Sequence, residues 1–256
     1  MQIIIVPTPE ALGDAAADLI LRRADAGELR VLGVATGSSP VPVYRSLAER
    51  AAGRLSGVTA IALDEYVGID PDHPESYHSV IDREVTVPLG LDPSAVHVPD
   101  GDVGGLPTAG ERYEGLIRAC GGVDVQILGI GATGHIGFNE PGSSLASRTR
   151  VKTLTPQTRS DNARFFAEQK DVPVHCVTQG LGTIMDAREV LLVAWGDAKS
   201  EAVAAAVEGP VTSMCPGSVL QMHPNATVIV DEAAAARLTN ADYYRFAYAN
   251  RPDWQR

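Results

Sequence analysis

Short apolar runs alternate along the chain with segments whose apolar residues recur every three or four positions. Gln2 to Val6, Arg30 to Ala35, Val58 to Leu63, Val123 to Gly129, Glu189 to Ala194 and Ala226 to Val230 are rich in β-branched and aliphatic residues and too short for helices. They predict buried strands. Behind the first run, Leu12, Ala16, Leu19 and Ile20 mark a helix face after Thr8-Pro9, where threonine suits the cap and proline the first helical position. Further helices are predicted from about Pro40, from Pro107 to Cys120 and from Asp197 to Val207. This βα alternation implies one α/β domain over residues 1–256, with a mostly parallel sheet and right-handed crossovers. The stretch from Thr149 to Lys170 breaks the pattern, being polar and charged without a strong apolar period, and predicts a lid over residues 149–170. Tyr243, Tyr244, Phe246, Tyr248 and Trp254 crowd the tail and predict packing or a subunit contact.

Charge then narrows the partners. Twenty-one basic residues stand against 32 acidic ones, and the net charge of −11 repels nucleic acid and anionic membranes. An anionic ligand therefore needs a local basic site. The three cysteines, Cys120, Cys176 and Cys215, lack metal-ligand spacing and form an odd set, which favours reduced thiols and a cytoplasmic protein. The amino terminus has no basic flank or long apolar core, and no apolar run reaches membrane-spanning length.

Four segments carry candidate chemistry. GIGATGHIGFNEP, from Gly129 to Pro141, leaves the carboxyl end of a predicted strand, where open α/β sheets place their ligands. It brings His135, Asn139 and Glu140 together; alone it also reads as a glycine-rich turn whose histidine caps a helix. VATGSSP, from Val34 to Pro40, offers backbone N–H groups, the Thr36, Ser38 and Ser39 hydroxyls and a helix start, which suit a phosphate. A simple capped turn explains it equally, and no lysine follows as in a Walker loop. Cations are available in Arg164 and in Lys199, whose place near a helix start opposes the dipole and so favours an anion. LDEYVGI places Asp64 and Glu65 side by side, and strand geometry lets only one face the crevice, as a base or as a cap. SSLASRTRVKTL, from Ser143 to Leu154, concentrates Arg148, Arg150 and Lys152 beside serines, as a second anion site, a subunit contact or a solvated edge.

Taken together, LDEYVGI, DHPESYHS, GHIGFNEPGSSLASRTRVKTL and Arg164-Phe165-Phe166 make nearly the whole chain resemble the glucosamine-6-phosphate deaminase family. The resemblance implies a Rossmann-like α/β fold and a cofactor-free, metal-free conversion of glucosamine 6-phosphate and water to fructose 6-phosphate and ammonia. It further implies Asp64 as the C2–C1 base, His135 as the ring-opening acid–base and Glu140 as its partner. Thr36, Gly37, Ser38, Arg164 and Lys199 would hold the phosphate. Where the family usually has Asp or Asn, this chain has Thr133, whose hydroxyl can accept an imidazole N–H but brings no charge. Some members are allosteric homo-oligomers, hexamers among them, activated by the N-acetylated sugar phosphate through cations matching Arg150 and Lys152 and serines matching Ser143 and Ser144. Alternatives on the same fold are 6-phosphogluconolactonase, a galactosamine-6-phosphate deaminase and a non-catalytic sugar-phosphate sensor. Asp64, His135 and Glu140 favour an enzyme over the sensor, as does a chain that begins directly with a strand.

Overall fold

The computed structural model of the protein describes residues 1–252. Ten strands form two sheets: β1 Gln2–Val6, β2 Val31–Val34, β3 Thr59–Ala62, β4 Asp64–Tyr66, β5 Val96–His97, β6 Val125–Leu128, β7 Arg150–Thr153, β8 His175–Thr178, β9 Glu189–Ala194 and β10 Ala226–Asp231. The helices are α1 Pro9–Asp25, α2 Val41–Arg50, α3 Tyr77–Ile81, α4 Val87–Leu89, α5 Leu106–Ala119, α6 Pro156–Asn162, α7 Leu181–Met185, α8 Ser200–Val207 and α9 Ala241–Ala249. No helix of the described residues is long and apolar enough to cross a membrane.

The large sheet runs β1-β10-β9-β6-β2-β3-β5 with every pairing parallel; six of its strands fall on the predicted apolar runs, whereas the half-buried two-residue edge strand β5 does not. Its inner strands are buried on both faces, so successive residues point into different cores. Ile127 packs with Leu12, Ile20 and Leu47 under α1 and α2, while Leu128 packs with Tyr113, Ile184 and Val203 under α5, α7 and α8. Truncating a fully buried leucine of this kind to alanine costs about 2–5 kcal/mol. Thr8 caps α1 as expected, its hydroxyl accepting from the Ala11 amide at 3.2 Å. Chain order reverses between β2 and β6: β3 and β5 follow on one side, β9, β10 and β1 on the other. The loops after β2 and β6 diverge there and leave a crevice.

The second sheet departs from the sequence expectation. β4, β8 and β7 pair antiparallel, with β8 central. The segment from Thr149 to Lys170 is thus not one uniform lid, because Arg150–Thr153 is a registered strand and helix and turn begin only beyond it. Likewise, the helix expected from Asp197 begins as a 3-10 turn, Asp197–Lys199, and becomes regular at Ser200. In the tail, Tyr244 and Tyr248 pack on the two cores whereas Tyr243 and Phe246 are exposed; Trp254 lies outside the described residues.

Candidate active site

A cavity of about 780 Å³ opens over the switch point and is lined by the turn after β2, the loop after β6, Asp64, α3 and residues around α6 and Lys199. Thr36, Gly37, Ser38, Asp64, His135, Arg164 and Lys199 all line it. Thr133, Glu140, Ser143, Ser144, Arg150 and Lys152 do not.

One end gathers cations. The Thr36–Ser39 turn is pinned from below by Trp195, whose indole N–H donates to the Ser38 carbonyl at 3.2 Å. Lys199 donates to the Ile130 carbonyl at 2.8 Å, and burial, then the neighbouring Arg164 charge, lowers its pKa. Two cations that repel each other across a cavity are stabilised by a ligand bearing negative charge. Among the described residues neither Lys199 nor Arg164 has a carboxylate within salt-bridge distance, although Asp161 also lines the cavity and its charge raises the Lys199 pKa. A third cation, Arg83, also lines the cavity. It sits on a π-helical turn, Asp82–Thr86, donates to the Pro74 carbonyl at 3.1 Å and lies 3.6 Å from Glu84. Sequence reading did not single it out; its nearest signal is the turn entering a helix at DHPESYHS.

The other end gathers titratable groups. Asp64 is 6 % exposed, and burial, then the adjacent Glu65 charge, pushes its pKa up to about 8. Glu65 turns away, as alternation requires, and accepts from the Tyr66, Tyr77 and His78 amides at 2.7, 2.9 and 2.9 Å. It tethers the start of α3. His135 occupies space that only a glycine leaves open: a Cβ on Gly131 would lie 2.1 Å from the imidazole. Its Nδ1 faces Thr133 Oγ1 at 2.9 Å and Glu140 Oε2 at 3.4 Å, which leaves Nε2 for a ligand. Burial alone would raise the Glu140 pKa, yet His135 and the hydrogen bonds around it bring it to about 2. Oε1 of Glu140 accepts from the Thr155 amide and hydroxyl at 3.1 and 3.2 Å, whereas Oε2 has no hydrogen bond of its own. Glu140 is therefore an ionised neighbour fixed behind the imidazole.

The four residues of the second candidate site separate. Ser143 donates to the Glu140 carbonyl at 2.6 Å and Arg150 donates to Asn139 Oδ1 at 2.8 Å, so both brace the His135 loop. Ser144 caps its own turn by accepting from the Ala146 amide, and Lys152 lies on β7. No cluster of three or more His, Cys, Asp or Glu among the described residues is arranged to hold a metal ion. The cavity thus offers a buried carboxylate and an imidazole for moving protons on a small molecule anchored by an anionic group.

Known proteins match this architecture. The family model for glucosamine-6-phosphate isomerases/6-phosphogluconolactonase matches residues 7–229. The glucosamine-6-phosphate deaminase of Arthrobacter sp. (strain FB24) is 57% identical over 262 residues, covering 100% of this chain and 99% of that protein. That of Streptomyces coelicolor is 55% identical over 263 residues, with the same coverage. A solved monomeric glucosamine-6-phosphate deaminase superposes with a TM-score of 0.88 at 38% identity, covering 93% of this chain and 100% of the other. The 6-phosphogluconolactonase of Leishmania guyanensis, at 22% identity and a TM-score of 0.73 over 91% of this chain and 97% of the other, shares the fold. The chain belongs to the glucosamine-6-phosphate isomerase/6-phosphogluconolactonase family.

Proposed function

We propose that the protein converts glucosamine 6-phosphate and water to fructose 6-phosphate and ammonia. The observation that carries this reading is one cavity with Lys199 and Arg164 at one end and buried Asp64 and His135 at the other. The phosphate binds the Thr36–Ser39 turn and the two cations, arginine by its fork and lysine as a point charge. His135 Nε2 takes the proton of the anomeric hydroxyl and returns one to the ring oxygen, opening the pyranose. Glu140 and Thr133 hold the ring at Nδ1, and the Glu140 charge stabilises the imidazolium while the proton is held. Asp64 removes the C2 proton and delivers it to C1. The enolamine becomes a ketimine, and water adds to C2 as ammonia leaves. A carboxyl that titrates near the working pH suits a base that must release its proton again.

Three further points belong to this proposal. The lid comprises α6 and the two turns after it, Ala163–Phe165 and Gln169–Asp171; Asn162 donates to the Tyr66 hydroxyl at 3.0 Å and holds it against β4. The protein is cytoplasmic and a homo-oligomer, the exposed Tyr243 and Phe246 of α9 supporting a contact between copies. An effector anion at Ser143, Ser144, Arg150 and Lys152 would draw Ser143 and Arg150 from the Glu140 carbonyl and Asn139 Oδ1, and so would act on the His135 loop. Purified protein should release ammonia from glucosamine 6-phosphate in step with fructose 6-phosphate. Release from the galactosamine epimer alone, or hydrolysis of 6-phosphogluconolactone without ammonia, would replace this reading.

A further inference from the structure

β8 lies between the strand that carries Asp64 and the strand that carries Arg150, and its last residue, Thr178, is the cross-strand partner of both. Opposed residues of an antiparallel pair place their Cβ atoms about 5 Å apart, within reach of a hydroxyl. Thr178 is fully buried, and its Oγ1 lies 3.5 Å from Asp64 Oδ2. The same oxygen accepts from the Phe138 amide at 3.1 Å, just before Asn139 and Glu140 begin their own contacts. Beside it the loop passes through Gly137, at φ 53°, where a Cβ would lie 3.1 Å from Thr178 Oγ1 and 3.4 Å from Asp64 Oδ2. One hydroxyl therefore touches the carboxylate and the loop that carries His135.

We propose that Thr178 is a positioning residue that holds the Asp64 carboxylate in register with the His135 loop and favours its ionised form. The inference rests on the reading of Asp64 as the base. A threonine hydroxyl has one proton to donate. Here it has two acceptors, Asp64 Oδ2 at 3.5 Å and the Gln179 carbonyl at 3.3 Å. When Asp64 is neutral the nearer carbonyl is the better acceptor. When Asp64 is ionised its charge draws the proton, since hydrogen bonds to charged groups are the stronger ones. The hydroxyl thus follows the protonation of the base by rotating about one bond, with no movement of the chain. Burial and Glu65 raise the Asp64 pKa, while Thr178 and the Phe138 amide oppose them. The other titratable groups that sense Asp64 are Tyr66 on its own strand, Tyr77 on α3, Tyr113 on α5 and Cys176 on β8; all are acids, and none supplies a compensating positive charge.

Thr178→Ala and Thr178→Ser both lose the methyl group and differ only in the oxygen, so their comparison isolates the hydroxyl. Kinetics with glucosamine 6-phosphate across pH should show kcat of the Ala variant reduced by about tenfold near neutrality, with the acid limb of kcat/KM displaced by about one pH unit upward. KM should stay near that of the Ser variant, because the phosphate end is untouched. The Ser variant should keep the wild-type limb. Thr178→Val fills the site without the oxygen and should repeat the Ala profile if the smaller residue disturbs folding. Coincident limbs in Ala, Val and Ser variants overturn the proposal. Asp64→Asn run alongside separates the two readings: C2 exchange persisting in it removes both, whereas its collapse with coincident Thr178 limbs removes only the role of Thr178.

Discussion

At the anion end of the cavity Lys199 and Arg164 repel each other, while at the proton end Asp64 sits among phenols, a thiol and a second carboxylate. The protein relieves each charge only in part, through Asp161 near Lys199 and through Thr178 and the Phe138 amide at Asp64. The first is a pair of cations with no salt bridge among the described residues, the second a carboxylate whose ionised form is penalised by burial. A ligand with a phosphate at one end and an amine at the other relieves both. The contrast also bears on how a chain of net charge −11 could hold a sugar phosphate: long-range repulsion is offset by a few cations gathered at short range.

The proton end should give the largest effect when broken. Asp64→Asn keeps shape but cannot accept a proton, so turnover and solvent deuterium incorporation at C2 should fall by about 10²- to 10⁴-fold. Glu65→Gln is the internal control, since Glu65 faces away to the α3 amides and the exchange step should survive in it. NMR of recovered sugar reads both. Near wild-type exchange in Asp64→Asn would falsify the assignment and move attention to Glu140.

Breaking the anion end should cost less. Lys199→Ala removes a charged hydrogen-bond donor and should weaken substrate binding by about 1.5–3 kcal/mol, read as a raised KM with a smaller change in the C2 exchange of bound sugar. An unchanged KM would place the phosphate elsewhere, with Arg83 the next cation on the cavity wall.

The same Asp64→Asn protein should be more stable than wild type, which sharpens the contrast. A carboxyl whose folded pKa is raised from 3.8 to about 8 contributes stability below the unfolded value and loses it as pH rises through the folded one. The asparagine escapes that loss. Its gain in thermal midpoint should be small near pH 4, grow through neutrality and level off above about pH 8. A gain that is flat across this range contradicts the buried-acid account. The smallest effect belongs to the lid: amides of residues 156–171 should exchange more slowly when fructose 6-phosphate is bound, while those of β7 stay protected with or without it.

Much of the large sheet is legible in the sequence because its inner strands are buried on both faces and so read as unbroken apolar runs. VQIL, EVLLVA and ATVIVD announce themselves. The small sheet does not, since β4 is DEY, β7 is RVKT and β8 is HCVT, and their pairing is decided by partners far away in sequence. For the same reason Asp64, His135, Arg164 and Lys199 are found from strand-end position and charge, whereas Thr178 and Arg83 are not. A threonine inside a strand and an arginine on a helix surface carry no local mark of a cavity. Thr133 is legible as a departure, but that its hydroxyl reaches Nδ1 at 2.9 Å needs the folded loop.

Asp64 and Thr178 are 114 positions apart, and β4 has β8 as its strand partner in the small sheet. Closing so long a loop is slow and costs chain entropy that only later contacts offset. On a chain growing from the ribosome, β2, β3 and the turn between Thr36 and Ser39 are made long before the strand that orients the carboxylate. The half-synthesised protein therefore carries its Thr36–Ser39 turn with no ordered Asp64 carboxylate beside it, and completes the cavity only after the segment from Arg150 to Thr178 has docked.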